Sequence, residues 1–170
     1  MHVYQTVARN ATDVRRLFAN KSRVSKVWIR PMANTNSTTQ NYQKINSALD
    51  TPRDQIRNIM TRHKNIEFTK DYLSVEAYFQ KLQHYRFVIS PAGNGLDCHA
   101  HWEALLAGCI PIIPHSYLDS LFDNLPVWLL SDWNEITDES IIEKSKFFSD
   151  KDNWIFEKCF ADWWKDHINL

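Results

Sequence analysis

One run of sequence decides the fold of this 170-residue chain: Phe87-Val-Ile-Ser-Pro-Ala-Gly-Asn-Gly-Leu-Asp-Cys-His-Ala-His-Trp-Glu-Ala-Leu-Leu-Ala-Gly-Cys-Ile-Pro-Ile-Ile113. Its first part, Arg86–Ser90, is almost continuously apolar, as is typical of a strand buried on both faces of a parallel sheet. A glycine-containing loop follows, then a helical pattern over Cys98–Gly108, and then a second apolar strand over Cys109–Ile113. This order of strand, helix and strand predicts an α/β protein with a parallel sheet.

Strand and helix patterns also alternate along the rest of the chain. Further strands are predicted over His2–Ala8, Lys26–Met32, Ile66–Thr69 and Val127–Leu130. Helices are predicted to start at Asn10 or Thr12, at Thr51, at Ser74, and at Thr137 or Asp138. A last amphipathic helix is predicted over Asp152–Asp166. A loop is predicted over Ala33–Ser47, and a short helix or turn over Tyr117–Asp123. Residues 1–170 are therefore predicted to form one Rossmann-like domain with helices on both faces of the sheet. The patterns are weakest over residues 1–50, and residues 152–170 contain the C-terminal helix.

Side-chain patterns make more local predictions for three of these helices. Thr51 fits an N-cap, because Pro52 suits the first helical position and Asp54 stands three residues after the cap. In the helix that Ser74 caps, the side chains predicted to face inward are those of Val75, Phe79 and Leu82. In the helix after the glycine loop, the predicted buried stripe consists of Trp102, Leu105, Leu106 and Cys109.

The charge balance and the cysteine content restrict the partners and the compartment. Basic and acidic residues number 20 each, so no net field draws the chain to nucleic acid or to an anionic membrane, and any phosphate site must be local. Three widely spaced cysteines form neither a metal-ligand pattern nor a disulfide framework, which indicates a reducing compartment such as the cytoplasm. No run reaches the roughly 20 apolar residues of a membrane span. A Golgi lumen would be expected only for a fragment of a longer, membrane-anchored protein.

All three glycines of the chain lie in the run that decides the fold, at positions 93, 95 and 108. Their concentration indicates a demand on the backbone, because glycine permits positive φ angles and close approach of a ligand to main-chain N–H groups. The loop leads from a buried strand into a helix N-terminus, where unpaired N–H groups favour an anion such as a diphosphate. By spacing alone, Gly-Asn-Gly is equally compatible with a tight turn, and it matches neither the dinucleotide fingerprint nor a P-loop.

Polar side chains near the start of the same helix could complete a ligand site. Asp97 is either the N-cap of this helix or a ligand contact. His99 and Glu103 are four residues apart and therefore share a helix face. Glu103 falls beside the predicted buried stripe, where its carboxylate could accept two hydrogen bonds from a ribose diol. Ordinary solvated or core-edge roles remain open for His99, His101 and Glu103.

Several short runs resemble the C-terminal region of exostosin-like glycosyltransferases, and they are similar to a branch with ribitol xylosyltransferase-like and large-virus sugar transferases. These runs are Ser90-Pro-Ala-Gly-Asn-Gly-Leu-Asp-Cys-His99, Trp102-Glu-Ala-Leu105, Gly108-Cys-Ile-Pro-Ile112, Leu118–Val127 and Ser131–Thr137. The resemblance implies a GT-B fold, whose C-terminal Rossmann-like half binds a nucleotide sugar without an obligatory metal or other cofactor. The implied reaction transfers a sugar, expected to be UDP-linked, to a glycan or another hydroxyl acceptor.

The resemblance also implies roles for individual residues. The glycine loop would face the diphosphate and the sugar, Glu103 would hold the ribose, and the candidate catalytic bases are Asp97 and His99. The candidate donor-binding residues are Ser90, Gly93, Asn94, Gly95, Leu96, Asp97, His99, Glu103, Arg53 and Arg57. One departure is Ala100, which stands where related sequences usually carry an arginine, so a cation for the phosphates is missing there. His101 could partly substitute, as could Arg53 and Arg57.

Two other functions remain open beside the transferase. A GT-B enzyme needs two domains of about this size, so a separate domain or chain would have to bind the acceptor. The first alternative is a non-catalytic module that binds a nucleotide sugar or a partner protein. The second is a different α/β enzyme with Cys98 as a nucleophile, although the surrounding sequence lacks the glycines and the following arginine of a phosphate-binding cysteine loop.

Overall fold

The computed structural model of the protein describes residues 8–32, 46–93 and 95–168. The described helices are α1 (Ala11–Phe18), α2 (Ser47–Asp50), α3 (Arg53–Met60), α4 (Val75–His84), α5 (His99–Leu106), α6 (Asp138–Asp150) and α7 (Ala161–His167). The described strands are β1 (Val24–Ile29), β2 (Ile66–Phe68), β3 (Tyr85–Ile89), β4 (Ile110–Pro114) and β5 (Trp128–Leu130). Short 3-10 helices cover Asp119–Phe122, Trp133–Glu135 and Phe156–Cys159. The predicted strand His2–Ala8, apart from Ala8, most of the predicted loop Ala33–Ser47, and Asn94 lie outside the described residues.

The five strands form one all-parallel sheet in the order β2-β1-β3-β4-β5. The chain moves outward from β1 to β2 and then returns past β1 to β3, so its direction reverses between β1 and β3. This topology confirms the predicted α/β class with a Rossmann-like sheet. Open parallel sheets bind ligands beyond the carboxyl ends of their strands at such a reversal, which directs attention to the residues that follow β1 and β3.

Apolar side chains cover both faces of the sheet, as expected for parallel strands joined by helices. On one face, Val27, Ile29, Phe87 and Ile89 pack against residues of α1, α3 and α6. On the other face, the side chains of Trp28 and Val88 pack against α4 and α5. All five residues of β3 are buried, which accounts for the apolar run over Phe87–Ile89. No helix in the described part of the chain is both long enough and apolar enough to span a membrane.

Three predicted helix caps are confirmed, and one is wrong. The side chains of Asn10, Ser74 and Thr137 accept hydrogen bonds from the first-turn amides of α1, α4 and α6. Thr51 was predicted to cap α3, but it ends the short helix α2. Its hydroxyl donates to the carbonyl of Ser47 at 2.7 Å, so α3 begins after Pro52 without a side-chain cap.

Two predictions about apolar helix faces are only partly confirmed, since Leu105 and Cys109 of the predicted stripe are buried but Trp102 and Leu106 are not fully so. Phe79 and Leu82 are buried as predicted, but Val75 is 53% exposed because the first turn of α4 extends beyond the core. In α5 the buried side chains are those of Ala100, His101, Ala104 and Leu105. Trp102 is only partly buried, since its indole N–H donates to the exposed Asp97 carboxylate at 2.7 Å and holds the ring at the surface.

The predicted C-terminal helix Asp152–Asp166 is interrupted. Its residues form the 3-10 helix Phe156–Cys159 and then α7, with Phe160 extended between them. Tertiary contacts explain the break, because the Lys158 ammonium donates to the carbonyl of Asp123 at 2.9 Å. The neighbouring residue Asn124 also takes part, because its carbonyl accepts a hydrogen bond from the amide of Ile155 at 2.8 Å.

Candidate functional site

The loop that links β3 to α5 lies at the reversal point of the sheet. Ser90, the first residue beyond β3, is buried, and its Oγ atom has no hydrogen-bond partner among the described residues. The amide of Gly93 donates to the carbonyl of Gly95 at 3.0 Å, so a main-chain hydrogen bond links these two residues of the loop. Leu96 follows, partly buried, and the chain then enters α5 with Cys98 as its N-cap residue. The structure therefore places the predicted loop at the edge where ligands of such sheets bind.

The three glycines have different roles. Gly108 is the only glycine with a positive φ (72°) in the described part of the chain. A Cβ atom at Gly108 would lie 2.6 Å from the backbone nitrogen of Phe18, so this residue allows the end of α5 to pack against α1. At Gly93 an added Cβ would make only an ordinary contact of 3.4 Å with the Cβ of Cys98. The predicted demand for positive φ is thus met at Gly108 and not at Gly93 or Gly95, where an added Cβ would make ordinary contacts.

The two candidate catalytic residues lie at the surface of the loop. Asp97 is not the N-cap of α5, because Cys98 holds that position, and the Asp97 carboxylate instead accepts the hydrogen bond from Trp102. This contact fixes the orientation of the Asp97 carboxylate while leaving the residue exposed. His99 is exposed in the first turn of α5. Both side chains are therefore accessible to solvent.

Glu103 lies one turn further into α5 and contacts α4. The hydroxyl of Tyr78 donates to Oε2 of Glu103 at 2.9 Å. Burial, more than any other cause, raises the pKa of Tyr78 above its ordinary value, so the phenol stays protonated and remains a donor. The Oε1 atom of Glu103 makes no hydrogen bond to a described residue and could accept one from a ribose hydroxyl.

Arg53, the first residue of α3, lies against the glycine loop. Its Nη2 atom donates to the carbonyl of Ala92 at 3.0 Å and would lie 4.0 Å from a Cβ placed on Gly93. Burial lowers the pKa of Arg53, and the nearby charge of Arg30 lowers it further. Arg57 is one turn further along α3 and partly exposed, and no described contact joins it to the loop. The structure therefore brings Arg53, but not Arg57, to the predicted site.

Arg30 is a candidate site residue that the sequence patterns missed. It directly follows β1, and its Nε atom is buried without a hydrogen-bond partner in the described part of the chain. The predicted strand continued to Met32, which placed Arg30 inside the sheet, whereas β1 ends at Ile29. Because carboxyl ends of neighbouring parallel strands meet at one edge, a correct strand end would have placed Arg30 beside the glycine loop. A cavity of about 210 Å³ adjoins it, lined by Arg30, Pro31, Tyr72, Leu73, Val75 and Tyr78.

His101 does not substitute for the missing arginine. Its ring is 1% exposed, and its Nε2 atom donates to the carbonyl of Ser90 at 2.9 Å. Burial is the main reason why the pKa of His101 is lowered to about 4, so the ring is neutral at pH 7. The preceding residue, Ala100, is also buried. Two cations of the described chain, Arg30 and Arg53, lie near the glycine loop instead, and they come from other elements of the fold.

The described geometry defines a Rossmann-like α/β domain with a glycine loop and two arginines at the reversal point of its sheet. No group of three or more metal-ligating side chains is found among the described residues. No protein-family model matches the chain, and no curated protein matches it significantly. The resemblance to exostosin-like glycosyltransferases therefore stays a prediction.

Proposed function

We propose that this chain binds a nucleotide sugar at the carboxyl edge of its sheet and forms the donor-binding half of a glycosyltransferase, similar to the C-terminal half of a GT-B enzyme. One observation carries the proposal. The glycine loop at the reversal point is flanked by two cations, Arg30 and Arg53, and by the carboxylate of Glu103 one turn into α5. A diphosphate needs positive charge and N–H donors, and a ribose needs a hydrogen-bond acceptor, so the three groups match the parts of a nucleotide sugar.

The expected binding mode follows from these positions. The diphosphate lies at the N-terminus of α5, where the helix dipole and the loop amides favour negative charge, and the guanidinium groups of Arg30 and Arg53 neutralise it. Glu103 accepts a hydrogen bond from the ribose, and Tyr78 keeps the carboxylate in place. The 210 Å³ cavity next to Arg30 could accommodate a ring of the ligand against the exposed Tyr72.

In the proposed reaction, a hydroxyl of a glycan or other acceptor attacks the anomeric carbon of a UDP-linked sugar. Asp97 or His99 takes the hydroxyl proton, and the bond between the sugar and the diphosphate breaks. The loop amides stabilise the charge that develops on the leaving diphosphate, so no metal is required for this step. A separate domain or chain would position the acceptor. The free state of Cys98, Cys109 and Cys159 is consistent with a cytoplasmic location.

A non-catalytic nucleotide-sugar-binding module is the second candidate. Two observations favour it: Ala100 is buried, and His101 is neutral at pH 7. The residue after His99 is therefore not the cation that the resemblance leads one to expect there. Binding of a nucleotide sugar without transfer to any acceptor would support the module. Formation of a glycosylated product would support the enzyme.

A calorimetric titration with UDP, UDP-sugars and GDP-sugars tests the binding site. We expect the UDP-linked ligands to bind and Glu103→Ala to lose at least about 2 kcal/mol of binding free energy, the scale of a hydrogen bond to a charged group. Tyr78→Phe is the matched control, since it removes the hydrogen bond to Glu103 but leaves the carboxylate, and it should lose much less. Equal affinity of the wild-type protein and Glu103→Ala would remove Glu103 from the site.

Substitution of Cys98 separates the transferase proposal from a cysteine-dependent α/β enzyme. Cys98 is half-buried at the N-cap of α5, and its Sγ atom lies 3.9 Å from the carbonyl of Pro91. Cys98→Ser keeps the size of the side chain and should leave nucleotide-sugar binding and any sugar transfer within about twofold of wild type. Loss of a phosphatase or other hydrolytic activity in this variant, with unchanged nucleotide binding, would favour the cysteine enzyme.

A further inference from the structure

A second cavity, of about 530 Å³, lies at the opposite edge of the sheet from the glycine loop. It is bounded by the end of α1, the first residues of β1 and β3, and the end of α6. This volume falls within the range of roughly 300–1,000 Å³ for small-molecule sites. The cavity is therefore large enough for a ligand with both a charged group and a carbon body.

Positive charge is concentrated around this cavity. Its described lining contains five cationic side chains and one carboxylate: Arg15, Lys21, Arg23, Arg86, Lys151 and Asp152. The whole chain has equal numbers of basic and acidic residues, so the excess is local and does not reflect a generally basic surface. Arg15 is paired with Glu157 at 3.3 Å, whereas Lys151 lies over the ring of Trp154, 4.2 Å from its centroid.

Arg23 and Arg86 are the unusual members of this group, because both are buried and neither contacts a carboxylate of the described chain. The Arg23 guanidinium donates to backbone carbonyls, among them that of Tyr85 at 3.0 Å. Arg86 donates to the carbonyl of Phe18 at 3.0 Å and to the Ser149 hydroxyl at 3.1 Å, and no described residue accepts a hydrogen bond from its Nε atom. Buried charges are normally balanced by an opposite charge. Burial lowers the pKa of Arg86 most, and repulsion from the positive charge of Arg23 lowers it further.

The remaining lining residues fit a phosphate that is attached to a carbon body. Three serine hydroxyls line the cavity: Ser25, Ser145 and Ser149. Hydroxyl and guanidinium donors approaching from several directions suit a tetrahedral dianion, which also balances more of the positive charge than a carboxylate would. The aromatic rings of Phe18, Trp154 and Phe156 form apolar walls. We propose that this cavity is a binding site for a small phosphorylated metabolite, with its phosphate among the cations and serines and its carbon body against the aromatic rings.

This site is independent of the proposed function. Arg86 lies near the start of β3 and Ser90 just beyond its end, so the two sites are at opposite ends of the same strand. Binding at one site requires no residue of the other. Failure of nucleotide-sugar binding would leave this proposal intact, and the reverse also holds.

Phenyl phosphate, inorganic phosphate and phenol are suitable probes for a calorimetric titration of the full chain. We expect phenyl phosphate to bind at least about tenfold more tightly than inorganic phosphate, because only the ester also contacts the rings, and phenol not to bind measurably. Affinity for phenyl phosphate should fall as salt is added. Absence of phenyl phosphate binding, or equal binding of phenol, would overturn the proposal.

Variants at the rim locate the bound phosphate without disturbing the buried arginines. The double variant Lys21→Gln/Lys151→Gln should weaken phenyl phosphate binding at least about tenfold, because it removes two of the accessible charges. Lys146→Gln is the control, since Lys146 is exposed on α6, the helix that ends directly before Lys151, but does not line the cavity. Equal losses in the double variant and the control would contradict the site. Binding that persists in the double variant but is lost in Arg53→Gln would place the phosphate at the glycine loop and refute this inference.

Discussion

Replacement of Gly108 by alanine is expected to destabilise the protein by about 3 kcal/mol or more. Gly108 has a φ of 72°, and the left-handed region costs an L-residue about 1–2 kcal/mol. The new Cβ would also lie 2.6 Å from the nitrogen of Phe18 and 2.7 Å from the carbonyl carbon of Leu17. Both are backbone atoms of α1, which cannot rotate away, and overpacking of this kind adds about 1–3 kcal/mol.

Gly93→Ala is the matched comparison and should have the opposite effects. Its Cβ would meet Cys98 at an ordinary 3.4 Å, and no positive φ is involved, so the free energy of unfolding should change by less than about 1 kcal/mol. Its methyl group would stand beside Arg53, where the proposed diphosphate approaches the loop, and should weaken nucleotide-sugar binding about tenfold or more. Urea unfolding and nucleotide titration of both variants measure the two effects. Wild-type stability of Gly108→Ala would contradict the described packing of α5 on α1, and wild-type affinity of Gly93→Ala would contradict the loop as a ligand site.

The fold was predictable because local sequence and tertiary structure agree over most of the chain. The apolar run of β3 marks a strand covered on both faces, and the caps at Asn10, Ser74 and Thr137 mark three helix starts that the structure confirms. In each case the deciding interaction joins residues only a few positions apart.

The errors arose where the deciding contact joins distant parts of the chain. The pattern over Asp152–Asp166 suits a helix, but Lys158 is held by the carbonyl of Asp123 and the helix is interrupted. The glycines at 93 and 108 look alike in sequence, and only the approach of α1 shows that Gly108 serves packing.

For the candidate sites, too, local features were predictable and contacts between distant parts of the chain were not. Position relative to the glycine loop was enough to select Asp97, His99 and Glu103, which the structure leaves at least partly exposed on one short segment. Arg30 was not selected, because it comes near Arg53 only in the folded chain. The cations of the second cavity were not selected either, because they are far apart in sequence and line one cavity only after folding. Sequence spacing alone could not show this convergence.

The second large effect concerns acid stability, which we expect to fall by about 3 kcal/mol through His101 as the pH drops from about 6.5 to about 4. The pKa of His101 is lowered from 6.5 to about 4, chiefly by burial. Between these two values the unfolded chain binds a proton that the folded chain does not. Stability is therefore fully present above the unfolded pKa and is lost progressively below it, at about 1.4 kcal/mol per unit of pKa difference.

The chemical environment of the ring explains why the folded state resists this proton. Nε2 already donates to the carbonyl of Ser90, so the added proton must go to Nδ1, which is buried without a hydrogen-bond partner. The nearest carboxylate oxygen, of Asp97, is 3.9 Å from Nδ1, and its attraction is smaller than the cost of burial. The positive charge of Arg30 adds to the cost. The cation proposed to bind the diphosphate thus also helps to keep His101 neutral.

His101→Gln isolates this contribution, because glutamine can still donate to Ser90 but does not titrate. Urea unfolding at several pH values from 7 to 4 should show a shallower loss of stability in this variant than in the wild-type protein, with a difference approaching about 3 kcal/mol near pH 4. His99→Gln changes the same residue type at an exposed position and leaves His101 in place, so it should follow the wild-type curve. Carboxylates that titrate in the same range affect all three proteins alike and cancel in the comparison. Parallel curves for the wild-type protein and His101→Gln would show that folding does not lower the pKa of His101, and the ring would then be a further cation near the glycine loop below about pH 6.5.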